Sequence, residues 1–226
     1  MPSPFLQRFG DPGERRPPNA LEILVSRIID YFFAPISPWT YLGHERFSAI
    51  ARDAGATVRL IPIDLLKLFA VSGGLPLSQR PAQRQAYRLL ELRRFSQHLG
   101  MPMNVEPACF PVAPHKAARL IIAVDQADGA DAAMRVTGAL LRAVWEQQRD
   151  IADDATLTAI LAEQGLPAER LTRSAEDDIG AQYDANTQRA IDASLFGAPS
   201  YVIDGELFWG QDRLDFVERA LAADRA

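Results

Sequence analysis

The 226-residue sequence holds a single cysteine, Cys109. An intrachain disulfide and a multi-cysteine metal site are therefore excluded, which suits a reducing compartment. Cys109 lies in a proline-rich run, Glu106-Pro107-Ala108-Cys109-Phe110-Pro111, with no basic residue beside it, and reads as an inert thiol. Lysine is almost absent: apart from Lys67 and Lys116, every basic side chain other than histidine is an arginine. Any anion site must then rely on arginine, backbone N–H groups or helix ends. The three histidines, His44, His98 and His115, show no metal-ligand spacing, so no metal is expected. Residues 1–27 lack a long apolar core and are broken by prolines and charges. Neither a secretory signal nor a membrane span is expected there, and a cytoplasmic location is. The formal net charge of −5 comes with no concentrated basic surface, which argues against nucleic acid as a partner. At 48% hydrophobic and 23% charged residues, the composition is that of an ordinary globular chain.

What is present falls into three stretches. Residues 1–26, rich in proline and arginine, read as a mobile arm. Ile28 to Phe33 (IIDYFF) reads as a buried strand. A helix should then start at Ser37-Pro38, because serine is a good N-cap and proline loses nothing at the first helical position. Trp39, Leu42, Phe47 and Ile50 form its apolar stripe, which stops near Gly55. Thr57 to Ile63 is a second strand, completing a strand–helix–strand opening. From Asp64 to Asp192 the pattern turns mostly helical. One helix enters near Pro81, others cover 117–124, 132–145 and 156–164, and a last one should end at Phe196-Gly197. Ser200 to Ile203, the turn Asp204-Gly205 and Glu206 to Trp209 read as a hairpin, followed by an amphipathic helix from Gln211 to Ala222. This order describes an α/β thioredoxin-like fold with a large all-helical insertion domain. Residues 27–66 and 183–226 form the two halves of the thioredoxin-like domain, and 67–182 the insertion.

Three motifs in the correct order carry a more specific resemblance. Asp30-Tyr31-Phe32-Phe33-Ala34-Pro35-Ile36-Ser37-Pro38-Trp39-Thr40-Tyr41-Leu42 resembles the active-site strand and helix start of the family of 2-hydroxychromene-2-carboxylate isomerases and kappa-class glutathione transferases. Phe196-Gly197-Ala198-Pro199-Ser200 resembles that family's cis-proline loop, and Asp204 to Leu214 matches its C-terminal segment. The similarity runs from about Arg27 to the C-terminus. It implies a DsbA-like thioredoxin fold, glutathione as cofactor, a small aromatic or unsaturated organic acid as the other ligand, a role in aromatic degradation, and a homodimer.

By the same resemblance, Ser37 faces the sulfur of bound glutathione. Where redox relatives carry Cys-x-x-Cys, this chain has Ser37, Pro38, Trp39 and Thr40, so dithiol exchange is closed to it. A hydrogen bond to a charged group is worth roughly 1.5–3 kcal/mol, and a pKa unit about 1.4 kcal/mol. One serine hydroxyl can thus lower a thiol pKa by about one to two units, with the positive helix end adding to the shift. The plainer role, that of an N-cap alone, stays open. Ala198, presented by a cis Pro199, implies backbone pairing with the cysteinyl part of glutathione. Gln211 and Asp212 imply the γ-glutamyl contacts, although Asp212 can equally serve the helix N-terminus. Kappa-class enzymes have Gly-Asn and a lysine where this chain has Gly73-Gly74 and Gln83; Arg84, next to Gln83, is either the replacement cation for the glycyl carboxylate or a solvated helix charge. Trp39, Tyr41, Phe69, Asn186 and Trp209 are candidate walls of a substrate pocket, the aromatics being equally suited to a core.

The expected activity is a glutathione-dependent isomerisation of the 2-hydroxychromene-2-carboxylate type, with the Ser37-activated thiolate as nucleophilic catalyst. Conjugation or peroxide reduction on other electrophiles is the enzymatic alternative. A non-catalytic thioredoxin-fold binding protein is the alternative of another class.

Overall fold

The computed structural model describes residues 27–223, so the arm read into residues 1–26 lies outside the described residues. The strand β1 (Ile28–Phe33) pairs in parallel with β2 (Thr57–Pro62), from Ile28 opposite Thr57 to Phe33 opposite Pro62. The helix α1 (Pro38–Asp53) crosses between them. Near the C-terminus, β3 (Ser200–Ile203) runs antiparallel to β1, and β4 (Glu206–Trp209) antiparallel to β3, giving the order β2-β1-β3-β4. Asp204 and Gly205 both have positive φ, 50° and 86°, which is the turn geometry that matches the twist of a two-residue hairpin.

Between β2 and β3 the described chain is helical: α2 (Leu65–Ser72), α3 (Ala82–Leu99), α4 (His115–Asp128), α5 (Ala130–Trp145), α6 (Asp154–Glu163), α7 (Glu169–Ser174) and α8 (Asp177–Asp192). The closing helix α9 spans Leu214–Ala222. No helix among the described residues is long and apolar enough to cross a membrane.

Alternation along β1 divides the core. Ile29, Tyr31 and Phe33 join Leu42 and Phe47 of α1 and Val217 of α9 on one face. Phe32 turns to the other face and packs with Ile61, Leu68 of α2 and Ala190 of α8. The first cluster continues without interruption into α4, α5 and α6 through Ile121, Leu140, Trp145 and Ile160, so sheet and inserted helices share apolar packing. Asp64 caps α2 by accepting from the Leu66 and Lys67 amides (3.0 and 3.2 Å), while its own amide donates to Thr187 Oγ1 of α8 (2.9 Å).

Two helix boundaries differ from the sequence reading. The helix expected to reach Phe196-Gly197 ends at Asp192. There Ser194 takes the left-handed conformation (φ 56°), the Leu195 amide donates to the Ala190 carbonyl and the Ser194 amide to that of Ile191. This is the hydrogen-bond pair of a Schellman stop, with serine where glycine usually signals it. The helix expected from Gln211 begins as a separate 3-10 turn, Gln211–Arg213, and α9 starts only at Leu214.

Candidate active site

Ser37 is the N-cap of α1: its backbone is extended and its Oγ accepts from the Thr40 amide (3.3 Å). The residue is 5% exposed. Accepting that bond leaves the hydroxyl proton uncommitted, since no acceptor among the described residues takes it. A buried donor at the positive end of a sixteen-residue helix is suited to an anion, and a thiolate is one. Position 40 holds Thr40 and no second thiol, so the site can stabilise a foreign thiolate but cannot cycle a disulfide.

Directly after Ser37 and Pro38, Trp39 forms one wall of a cleft of ≈ 570 Å³. Its indole meets Phe95 of α3 edge-on, with ring centroids 5.9 Å apart. The opposite wall is Ala198, Trp209, Gly210, Gln211, Asp212 and Arg213. The Ala198–Pro199 bond is cis, as the sequence reading expects, and the Pro199 carbonyl accepts from the Gly210 amide (2.9 Å). Gly197 has no room for a Cβ because the Trp209 indole occupies that space, so this glycine lets the tryptophan close onto the loop. Phe196 stacks edge-on against the same indole at 4.8 Å.

Gln211 is 2% exposed. Its Oε1 accepts from Arg46 (3.1 Å), whereas its Nε2 is buried without a partner. A sealed amide N–H group is costly unless something accepts from it, which marks this corner as a place for a ligand acceptor. Asp212 pairs with the adjacent Arg213. Because both line the cleft, they offer opposite charges to one zwitterionic group.

The floor is α3. Arg84 lines the cleft, as do Gln83, Arg88, Glu91 and Phe95; Arg80 joins them from just before the helix. Positions 84, 88, 91 and 95 follow helical spacing and share a face. Arg88 is only 9% exposed, while Tyr87 and Leu90 on the same helix are 53% and 40% exposed. Burial, aided by repulsion from Arg80, pushes the Arg88 guanidinium down to about 10.

Of the residues singled out from sequence, Trp39, Arg84, Ala198, Trp209, Gln211 and Asp212 come together around this cleft, with Ser37 and Pro199 adjoining it in sequence. Three others do not line it. The Tyr41 ring is buried and its hydroxyl donates to Glu146 (2.7 Å), which together with burial raises its pKa. Phe69 lies beside the cleft beneath Arg80. Asn186 ties α8 to the end of β2, donating to the Pro62 carbonyl (3.4 Å) and accepting from Gln182 (2.9 Å). Arg80, Arg88, Glu91 and Phe95 escaped the sequence reading. Their signal was the 84-88-91-95 spacing, obscured because an arginine occupies a buried position while Leu90 and Tyr87, which also lines the cleft, are exposed.

Comparison with known proteins agrees with this fold. The family described as the DSBA-like thioredoxin domain matches residues 28–222. A 2-hydroxychromene-2-carboxylate isomerase of Pseudomonas sp. (strain C18) is 30% identical over 211 residues, covering 89% of this chain and 92% of the relative. A glutathione S-transferase kappa 1 of Caenorhabditis elegans is 24% identical over 200 residues, covering 84% of this chain and 88% of the relative. A solved 2-hydroxychromene-2-carboxylate isomerase superposes with a TM-score of 0.74 at 25% identity, over 88% of this chain and 99% of that one.

Proposed function

The chain belongs to the family of 2-hydroxychromene-2-carboxylate isomerases, built on the DSBA-like thioredoxin domain, and from that premise we propose that it is a glutathione-dependent isomerase of the same type. The observation that carries the reading is Ser37: a buried hydroxyl with a free proton, at a helix N-terminus beside a cleft able to hold a tripeptide.

The groups around that cleft fit glutathione. The unpartnered Gln211 Nε2 and the Asp212–Arg213 pair suit the γ-glutamyl carboxylate and amino group. Ala198 offers backbone groups to the cysteinyl residue, in the manner of an added strand. Arg84 receives the glycyl carboxylate. When bound, glutathione would supply a nucleophilic thiol, held as the thiolate, for reversible addition to an unsaturated carbon. Ser37 donates to the sulfur and keeps it ionised near neutral pH. Trp39, Phe95 and Trp209 exclude water from the reacting end and give a flat co-substrate its apolar faces. A reducing compartment, where glutathione remains a thiol, suits this chemistry, and a cytoplasmic location is part of the proposal.

Calorimetric titration with glutathione and turnover of 2-hydroxychromene-2-carboxylate test the reading together. Binding below millimolar concentration is expected, with turnover reduced about 10- to 100-fold in Ser37→Ala, the loss of one to two pKa units of activation. Glutathione binding without isomerisation, but with conjugation of other electrophiles, would favour the kappa-like reading. No binding at millimolar glutathione would leave a thioredoxin-fold binding protein instead.

A further inference from the structure

Four arginines line the cleft (Arg80, Arg84, Arg88 and Arg213), against two carboxylates, Glu91 and Asp212. Three of the four are accounted for. Arg213 pairs with Asp212, Arg80 donates to the Leu75 carbonyl (2.9 Å) and lies over Phe69, and Arg84 is assigned above to the glycyl end. Arg88 remains. It is more than nine-tenths buried, and among the described residues it makes neither an ion pair nor a hydrogen bond. Its guanidinium rests over the rings of Phe110 (5.5 Å) and Trp145 (5.9 Å), contacts that use its charge and leave its N–H donors without a protein acceptor among the described residues, open to the cleft that the side chain lines. The charges around it are repulsive as well: Arg80 opposes its protonated form, with no carboxylate offsetting that effect.

Burying a guanidinium in this way is destabilising without an anion to meet it. A structural role is served better by an apolar side chain of the same volume. The position instead suits a ligand that brings a carboxylate to α3 and a flat apolar body to Trp39 and Phe95.

We infer that Arg88 is the specificity-determining residue for the second substrate, binding the carboxylate of a planar, unsaturated aryl acid separately from the carboxylates of glutathione. The inference rests on the reading above in giving Arg84 to glutathione, but its test does not require that glutathione bind. The bidentate fork of arginine meets a carboxylate edge-on, so the acid lies in one plane against the aromatic walls and presents its unsaturated carbons toward the α1 N-terminus. Neutral isosteres, lacking the charge, should be rejected.

The experiment compares trans-cinnamate with cinnamamide, of the same shape but without the charge, by tryptophan-fluorescence titration, with and without saturating glutathione. The intact protein is expected to favour the acid about 10- to 100-fold, the size of one charge-assisted contact. Arg88→Met should bring that preference to within about 2-fold while keeping the amide's affinity and a melting temperature no lower than that of the parent. Arg88→Lys, which keeps the charge, should recover part of the preference. Arg84→Met should weaken glutathione and leave the preference in place. A preference that survives Arg88→Met, or an intact protein that does not discriminate acid from amide, would overturn the assignment. Should glutathione fail to bind while the acid preference is present and lost in Arg88→Met, the glutathione reading falls and the Arg88 assignment stands.

Discussion

His44 shows how closely single residues in this molecule are held to one protonation state. It is 3% exposed on α1, with Nε2 donating to the Met134 carbonyl of α5 (3.0 Å), so that Nδ1 faces the Tyr31 hydroxyl of β1 (3.2 Å) as an acceptor. The ring therefore joins three elements as a neutral imidazole. Burial lowers its pKa below 6.5. Unfolded chains bind a proton at His44 near 6.5 while the folded chain refuses it, so stability is present above that pH and is lost as pH falls toward the folded value. Denaturant unfolding between about pH 7 and pH 5 should show His44→Gln losing less stability than the parent, the difference approaching about 1.4 kcal/mol per pH unit. Equal losses would mean that His44 protonates equally in both states. Sequence reasoning excluded only a metal role for this residue, and no signal in the chain distinguishes a sealed histidine from a solvated one. The cap at Ser37 was legible because Ser-Pro is a distinctive helix start, and its proposed thiol role came with the resemblance. Arg88 was not, because patterning assigns arginine to water and only the fold turns it inward.

Among elements, the legible ones were those whose start or stop is written in a distinctive residue. Ser37-Pro38 opens α1, and Asp204-Gly205 turns the hairpin. Gly55, Gly100 and Gly165 end α1, α3 and α6 with the same paired bonds that Ser194 forms after α8. The serine version was missed, since serine carries no such signal. The link from α2 to α3 carries the Gly73-Gly74 pair. By the resemblance, Gly74 replaces a kappa-class asparagine, and the Phe69 ring fills the space that any Cβ at position 74 would take. The departure is thus a repacked turn, and restoring the asparagine alone should not restore its role. Gly74→Asn is expected to cost about 1–3 kcal/mol of stability by overpacking, most of it recovered in the Phe69→Ala, Gly74→Asn double variant. Thermal melts of the single and double variants check this; additive losses would show that the ring and the Cβ do not compete.

At the scale of the molecule, the fold gathers the site from distant parts of the chain. The order β2-β1-β3-β4 brings the start of α1 beside the Ala198–Pro199 loop, about 160 residues away in sequence, and α3 closes the cleft from the inserted helices. Leu92 and Phe95 of α3 pack into the same apolar cluster as Leu42 and Phe47 of α1, and the Trp39–Phe95 contact ties that third wall to the α1 N-terminus. The strand and helix order made this architecture legible; which faces of the inserted helices meet the cleft depended on tertiary packing that no local pattern encodes. Everything assembled there converges on Ser37 and the sulfur it is proposed to activate. The most direct test is the pH titration of bound glutathione, followed by thiolate ultraviolet absorbance in the intact protein and in Ser37→Ala. The sulfur should ionise about one to two units below the value of about 8.5 typical of a free thiol, and Ser37→Ala should raise it again by at least about one unit. A bound thiol that titrates as the free one does, or one that Ser37→Ala leaves unmoved, would contradict the account.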